Sequence, residues 1–250
     1  MKQNIILVDL DRCIGCRGGC QVACKTQHDI ALGPSRSKLY TMGPTGTFPD
    51  LQMYFIAVMC QQCEHPTCVD VCPTGACYKD EADGVVKIDR DSCIGCQSCM
   101  RACPYEAIIF NQEMRVADKC DICSELREVG EEPVCVRNCS GRALMFGDIN
   151  DPDSEVSKAI REAGPENVYA LKDFGNGPAG RFILKNADWL NVLPHEYKRG
   201  MKLSTSGDEA GDSASTAGAD EAGGSTSAAD IDGGRAAAQN DRDKTKGGQA

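Results

Sequence analysis

Apolar positions along this chain come in short runs. Ile5–Val8, Tyr54–Met59, Val85–Ile88, Ala107–Phe110, Ala143–Phe146, Val168–Leu171 and Arg181–Leu184 each span four to six residues. They are rich in branched or aromatic side chains and bounded by polar or Gly/Pro punctuation, which predicts short β-strands. Between Phe146 and Val168 one stretch changes period: Asp151-Pro152 followed by DSEVSKAIREAG predicts a helix with Asp151 at the N-cap, Pro152 in the first turn and Gly164 at the end. The span 30–51 contains Gly33-Pro34, Gly43-Pro44 and Pro49, which predicts a loop insertion facing solvent or a partner. From Ser204 to Ala250 the residues are mostly Ser, Ala, Gly, Asp and Thr, with Ile231 the one branched aliphatic side chain. So little apolar surface cannot offset the entropy of ordering, and a disordered acidic tail is expected.

The pattern also repeats. Val8-Asp9-Leu10-Asp11-Arg12-Cys13-Ile14-Gly15-Cys16 returns 80 residues later as Ile88-Asp89-Arg90-Asp91-Ser92-Cys93-Ile94-Gly95-Cys96. Each copy follows a short β-rich run and leads into a cluster of cysteines, so the core reads as a duplicated unit. No apolar run approaches the roughly 20 residues of a spanning helix. The start, MKQNIILVDL, breaks its apolar run at Asp9 and carries neither a twin arginine nor a small-residue cleavage site. The chain is therefore expected to be neither embedded nor exported by a signal of its own.

Composition changes this picture through cysteine. All 17 lie in the first 139 of 250 residues, and sixteen form four groups: Cys13/Cys16/Cys20/Cys24, Cys60/Cys63/Cys68/Cys72, Cys93/Cys96/Cys99/Cys103 and Cys120/Cys123/Cys135/Cys139. The third group reads C-x2-C-x2-C-x3-C-P, the bacterial ferredoxin spacing in which three thiolates bind one [4Fe–4S] cluster and the fourth a second. Zinc sites separate their Cys pairs by a dozen or more residues, so only Cys120-x2-Cys123-x11-Cys135-x3-Cys139 taken alone would suit zinc. Disulfides fit least, with no sign of export. Four cubanes are expected, and a core so threaded by cysteine loops should not fold without iron.

Charge adds little to separate the alternatives. Of the formal −10, the tail contributes −5 through nine acidic and four basic residues, leaving −5 on residues 1–203. Neither part suggests nucleic acid. An oxidised cubane with four thiolates carries about −2, so backbone N–H groups and cations are needed near the sulfurs.

With these motifs in place, the sequence resembles the four-cluster iron–sulfur subunits of the molybdopterin (or tungstopterin) oxidoreductases, such as those of dimethyl sulfoxide reductase, formate dehydrogenase-N and polysulfide reductase. The resemblance runs over residues 4–185 and rests on CIGC-x3-C-x3-C, CQQCEHPTCVDVCPTGA, CIGCQSCMRACPYEAI and KCDIC-x11-CVRNC in that order. It implies an α+β fold: a duplicated, bacterial-ferredoxin-like dicluster core over 1–150, loop-rich with short strands and helices, then a closing segment over 151–203 and the tail over 204–250. It also implies that the last cysteine of each group crosses to its partner group's cluster. Carried onto this chain, site 1 takes Cys13, Cys16, Cys20 and Cys139, and site 2 takes Cys60, Cys63, Cys68 and Cys103. Site 3 takes Cys93, Cys96, Cys99 and Cys72, and site 4 takes Cys120, Cys123, Cys135 and Cys24.

Some family members replace the residue at the position of Cys96 and hold a three-iron cluster there; a cysteine here implies four [4Fe–4S] clusters. The first group departs from the pattern, with three residues between Cys16 and Cys20 where two are usual, an insertion that glycine accommodates. The family further implies a molybdopterin catalytic partner and a quinone-linked membrane anchor or other donor. It places the chain at the cytoplasmic membrane within a complex, on the cytoplasmic side or carried across folded by a twin-arginine partner. The alternative function is a soluble polyferredoxin shuttling electrons between redox enzymes.

No nucleophile–base pair, paired carboxylates or phosphate loop appears, so no catalytic residue is expected. Gly175-Asn176-Gly177-Pro178 reads as a turn. Cys77 is expected to be a small buried residue starting a strand, and His28, His65 and His195 to be loop or surface residues. Tyr105 is expected to pack over a cluster. Lys25, Arg101, Lys119 and Arg137 stand beside group cysteines and are candidates to compensate cluster charge, about half of them simply solvated.

Overall fold

The computed structural model describes residues 1–16, 18–185 and 203–205. Eleven strands and six helices are described. The strands are β1 (Asn4–Asp9), β2 (Lys38–Thr47), β3 (Asp50–Val58), β4 (Cys77–Lys79), β5 (Val86–Ile88), β6 (Ile108–Asn111), β7 (Val116–Lys119), β8 (Leu144–Asp148), β9 (Val168–Leu171), β10 (Arg181–Ile183) and β11 (Leu203–Thr205). The helices are α1 (Gly19–Gln27), α2 (Thr67–Asp70), α3 (Ser98–Ala102), α4 (Ser124–Glu128), α5 (Val134–Arg137) and α6 (Glu155–Ala163). These residues belong to one unit, Met1–Ala210.

One five-stranded sheet, ordered β11-β9-β10-β1-β8, forms the base. In it β1 runs parallel to β10 and antiparallel to β8. Strand β1 reads NIILVD without alternation because both of its faces are covered, which calls for a continuous apolar run. Ile5 and Leu7 face a core shared with Val156, Ala163 and Val168, the contribution of α6 and β9. Ile6 and Val8 face the opposite way, into the main core, whose other members include Cys20, Cys60, Cys63, Cys120, Cys135 and Cys139. The sheet is thus a floor between an ordinary helix–sheet core and a larger core into which seven cysteines pack.

Three hairpins, β2–β3, β4–β5 and β6–β7, complete the β-structure. The first replaces the loop expected over 30–51. Its Gly43-Pro44 does not end the ladder but sits where the register shifts between Met42 and Thr45, an irregularity that tolerates a residue with no N–H. Strands β4 and β7 are not evident as apolar runs, since three or four residues with Lys at the end carry almost no periodic signal. The strand expected from Tyr54 begins earlier, at Asp50.

Helix α6 begins later than the sequence suggests. The Asp151 carboxylate accepts from Asp153 N–H at 2.9 Å and caps a turn, leaving Ser154 as N-cap, with its Oγ accepting from Ser157 N–H at 3.0 Å. Gly164 ends the helix at φ 84° as expected. The boundary expected at Ser204 is shifted as well, because Leu203–Thr205 pairs with β9. The rest of that tail, and His195, lie outside the described residues. Among the described residues no helix is long and apolar enough to cross a membrane.

Candidate metal centres

Each cysteine group opens on the same backbone device. The third residue of every C-x-x-C turn is left-handed: Gly15 at φ 63°, Gln62 at 48°, Gly95 at 69° and Ile122 at 55°. Such a residue turns successive N–H groups into one concavity, a nest suited to anionic sulfur. Glycine is required in the CIGC copies, since a side chain at Gly15 would run into the Phe55 ring and one at Gly95 into the Arg115 carbonyl. Gln62 and Ile122 hold the same conformation with side chains, a strained choice, above all for β-branched Ile. Gln62 is fixed by donating to Cys120 O at 3.1 Å and accepting from Val86 N–H at 2.8 Å.

A second device follows. Cys20, Cys68, Cys99 and Cys135 each occupy the second position of a helix, α1, α2, α3 and α5 respectively. There the free N–H groups and the helix dipole favour a thiolate. The next cysteine, Cys24, Cys72, Cys103 or Cys139, always comes four residues later, inside α1 for Cys24 and just past the end of the shorter helix for the other three. The insertion in the first group falls before Gly18, whose φ of 76° matches Gln97 at 61° ahead of α3. From Gly18 onward the two copies are back in register, and Cys20 is placed as Cys99 is.

The sulfurs gather in four neighbourhoods. Cys13, Cys16, Cys20 and Cys139 line one cavity, and Cys72, Cys93, Cys96 and Cys99 line another together with Cys77. Cys63 stands within electrostatic reach of Cys60, Cys68 and Cys103, and Cys24, Cys120 and Cys123 are the sulfurs closest in influence on Cys135 or on one another. Each neighbourhood takes one cysteine from a distant group. Cys99 reaches Cys68, Cys120 reaches Cys60, and Cys135 reaches Cys20, so the neighbourhoods follow one another in the order site 3, site 2, site 4, site 1.

Among the described residues no three His, Cys, Asp or Glu side chains converge as donors to a single metal ion. Sulfurs spread around a cavity suit a cubane, which binds its thiolates on separate irons, better than one zinc.

Burial sets the sulfur chemistry. It pushes the thiols of Cys20 and Cys99 up to about 11 and those of Cys24 and Cys63 to about 12. Cys68 is also raised, first by its hydrogen bond with Cys77 and then by burial. Without metal these thiols are neutral at pH 7, and they would have to give up their protons to hold iron. Donors aim at the sulfurs: Cys77 N–H at Cys72 (3.3 Å), Ala143 N–H at Cys139 (3.2 Å) and Asn176 Nδ2–H at Cys63 (2.9 Å).

Sequence reasoning missed three of these residues. Arg36, in the supposed loop, is 4% exposed, and its Nη2 lies 2.6 Å from Asp118 and its Nη1 3.4 Å from Asp121. Its charge lowers the thiol pKa values of Cys24 and Cys123, although burial outweighs it at both. Asn176 belongs to the turn 175–178, which Asp173 Oδ1 organises by accepting three N–H bonds from Gly175, Asn176 and Gly177 at 2.9, 2.9 and 3.0 Å. His28, read as a loop residue, has Nε2 3.3 Å from Cys123 Sγ.

Two other expectations are met more simply. Cys77 is buried at the start of β4, and His65 is exposed. Tyr105 is buried in the sulfur-rich core and donates to Lys172 O at 2.9 Å. Of the four flanking cations only Lys119 is buried. Lys25 and Arg101 bond backbone carbonyls near the surface, and Arg137 pairs with Glu131 in solvent.

This combination of nests, helix starts and thiolate sets over short strands and helices defines a ferredoxin-like 4Fe–4S protein. The model of the 4Fe-4S dicluster domain matches residues 51–149. The chain is 42% identical to Protein NrfC of Escherichia coli over 164 residues, 65% of this chain and 73% of that protein. It is 36% identical to a sulfite dehydrogenase subunit of Allochromatium vinosum, covering 80% and 90% of the two chains. It is 40% identical to the thiosulfate reductase electron transfer subunit PhsB of Salmonella typhi, covering 74% and 93%. The chain belongs to the family of iron–sulfur electron-transfer subunits of the molybdopterin oxidoreductases. It is an electron-transfer subunit of an oxidoreductase complex, and not the catalytic one.

Proposed function

We propose that the chain holds four [4Fe–4S] clusters on the sixteen cysteines of sites 1 to 4 and conducts single electrons along them. The donor is a quinone-linked anchor or another carrier, and the acceptor a molybdopterin catalytic subunit, or the reverse. The core is then a duplicated dicluster unit, each CIGC copy founding one end site. A bound cubane supplies reversible one-electron storage; the chain's residues hold, desolvate and order the sites.

One observation carries this reading: the neighbourhoods lie in series, and exposed sulfur occurs only at the two ends. Cys16 of site 1 and Cys96 of site 3 are exposed, whereas no cysteine of the middle sites 2 and 4 is. Beside each exposed sulfur stands an exposed isoleucine of the repeated motif, Ile14 at 63% and Ile94 at 67%. End sites that present sulfur to partners and middle sites that do not are the arrangement a conductor requires.

Anaerobically purified chain is expected to contain close to sixteen irons and sixteen sulfides, four of each for every cubane. Cys96→Ser should lose one cluster, or convert it to a three-iron form, and leave the other three intact by electron paramagnetic resonance. A zinc-dominated metal content, or an unchanged resonance spectrum in the Cys96→Ser chain, overturns the reading.

A further inference from the structure

The side chain of Lys119 ends in a place where an ammonium group should not be stable. The residue is 2% exposed, at the end of β7. Its Nζ donates to the carbonyl of Val86 on β5 and to that of Cys120 at 2.9 Å. Among the described residues no carboxylate lies within ion-pair distance of it; its neighbour Asp118 is taken by Arg36 and approached by Arg90. Two neutral carbonyls do not balance a buried charge, which otherwise costs several kcal/mol. The groups that act on it are cysteine sulfurs: Cys60 and Cys68 of site 2, Cys120 of site 4, and the unassigned Cys77. Sites 2 and 4 are adjacent in the series and carry no exposed cysteine.

We propose that Lys119 is the counter-ion shared by the two middle sites, a positioning residue that holds the potentials of sites 2 and 4 up. A fixed positive charge between two centres favours the reduced form of each, because reduction adds negative charge beside it, and the effect is large where water is excluded. The other buried cation cannot do the same. Arg36 is neutralised by Asp118 and shares Asp121 as well, so it brings little net charge to site 4.

The inference rests on the four-cluster reading, which the iron content of the native chain tests separately. The experiment is an anaerobic redox titration of the full chain followed by electron paramagnetic resonance, in native, Lys119→Met and Lys119→Arg forms. The midpoints of the end sites are identified beforehand as those altered in Cys16→Ser and Cys96→Ser. In Lys119→Met the two remaining midpoints are expected to fall, each by at least a tenfold change in the reduced-to-oxidised ratio, or 59 mV for one electron. The end-site midpoints should move less, and Lys119→Arg should restore the native values. Four unmoved midpoints, or four that move together, overturn the proposal. If Lys119→Met fails to retain its iron, the charge requirement predicts that Lys119→Arg retains it; an arginine form that loses the same iron overturns the proposal too.

Discussion

Chelating the iron from the purified chain under anaerobic conditions is expected to unfold the sulfur-rich half and leave the β1–β8–β10 sheet with α6 as the last ordered element. The cause is how little regular structure stands between the cysteines. Helices α2 to α5 have four or five residues each, far below the length at which a helix persists in water without tertiary support. Hairpins β4–β5 and β6–β7 pair over three and four residues, too few to be stable alone. Their shared core consists of Cys68, Cys77, Val86, Cys99, Ile108 and Ala117, half of it sulfur. The opposite face of the sheet is different: Ile5, Leu7, Val156, Val168 and Ile183 bury one another without any cysteine. Hydrogen exchange read by mass spectrometry should therefore show rapid loss of protection across 60–139 and slower loss in β1 and α6. Native protection of the four cysteine loops after iron removal would refute this.

Arg36→Met should have the second largest effect. The arginine, 4% exposed, holds Asp118, 6% exposed, through two bonds of 2.6 and 2.9 Å. Removing one member strands a buried carboxylate, since Arg90 stands 3.8 Å away with a 42% exposed side chain. The expected loss is about 3–5 kcal/mol. It should appear as a fall on the order of 1 M in the urea concentration that halves the cluster absorbance near 400 nm, with m-values of about 1–3 kcal/mol/M. Replacing both residues, Arg36→Met with Asp118→Leu, should recover most of that loss, because an apolar pair leaves no charge unpaired. If the double variant is as labile as the single one, the ion pair is not the cause.

The spacing of cysteines carried much of the site in advance. The four-residue step from Cys20 to Cys24, Cys68 to Cys72, Cys99 to Cys103 and Cys135 to Cys139 is a helical interval, and each pair does begin at the second position of a helix. Likewise β1 was legible because both faces of the strand are apolar. What stayed hidden depends on distance along the chain. Nothing local marks Asn176 as the donor to Cys63, 113 residues away, or Arg36 as the partner of Asp118, 82 residues away. The span 30–51 was misread because its prolines punctuate a bulged ladder, and punctuation looks the same whether it ends a strand or bends one.

The crossing of each fourth cysteine to a neighbouring site bears on biosynthesis. On the proposed ligand sets, a nascent chain emerging from the ribosome holds Cys13, Cys16 and Cys20 early yet cannot complete site 1 until Cys139 is made, 126 residues later. Site 3 closes first, when Cys99 emerges, then site 2 at Cys103, and sites 4 and 1 only at Cys135 and Cys139. Cluster delivery to this chain is thus set to a timetable by its topology: the older part of the polypeptide waits, with three thiols open, for the younger part to arrive.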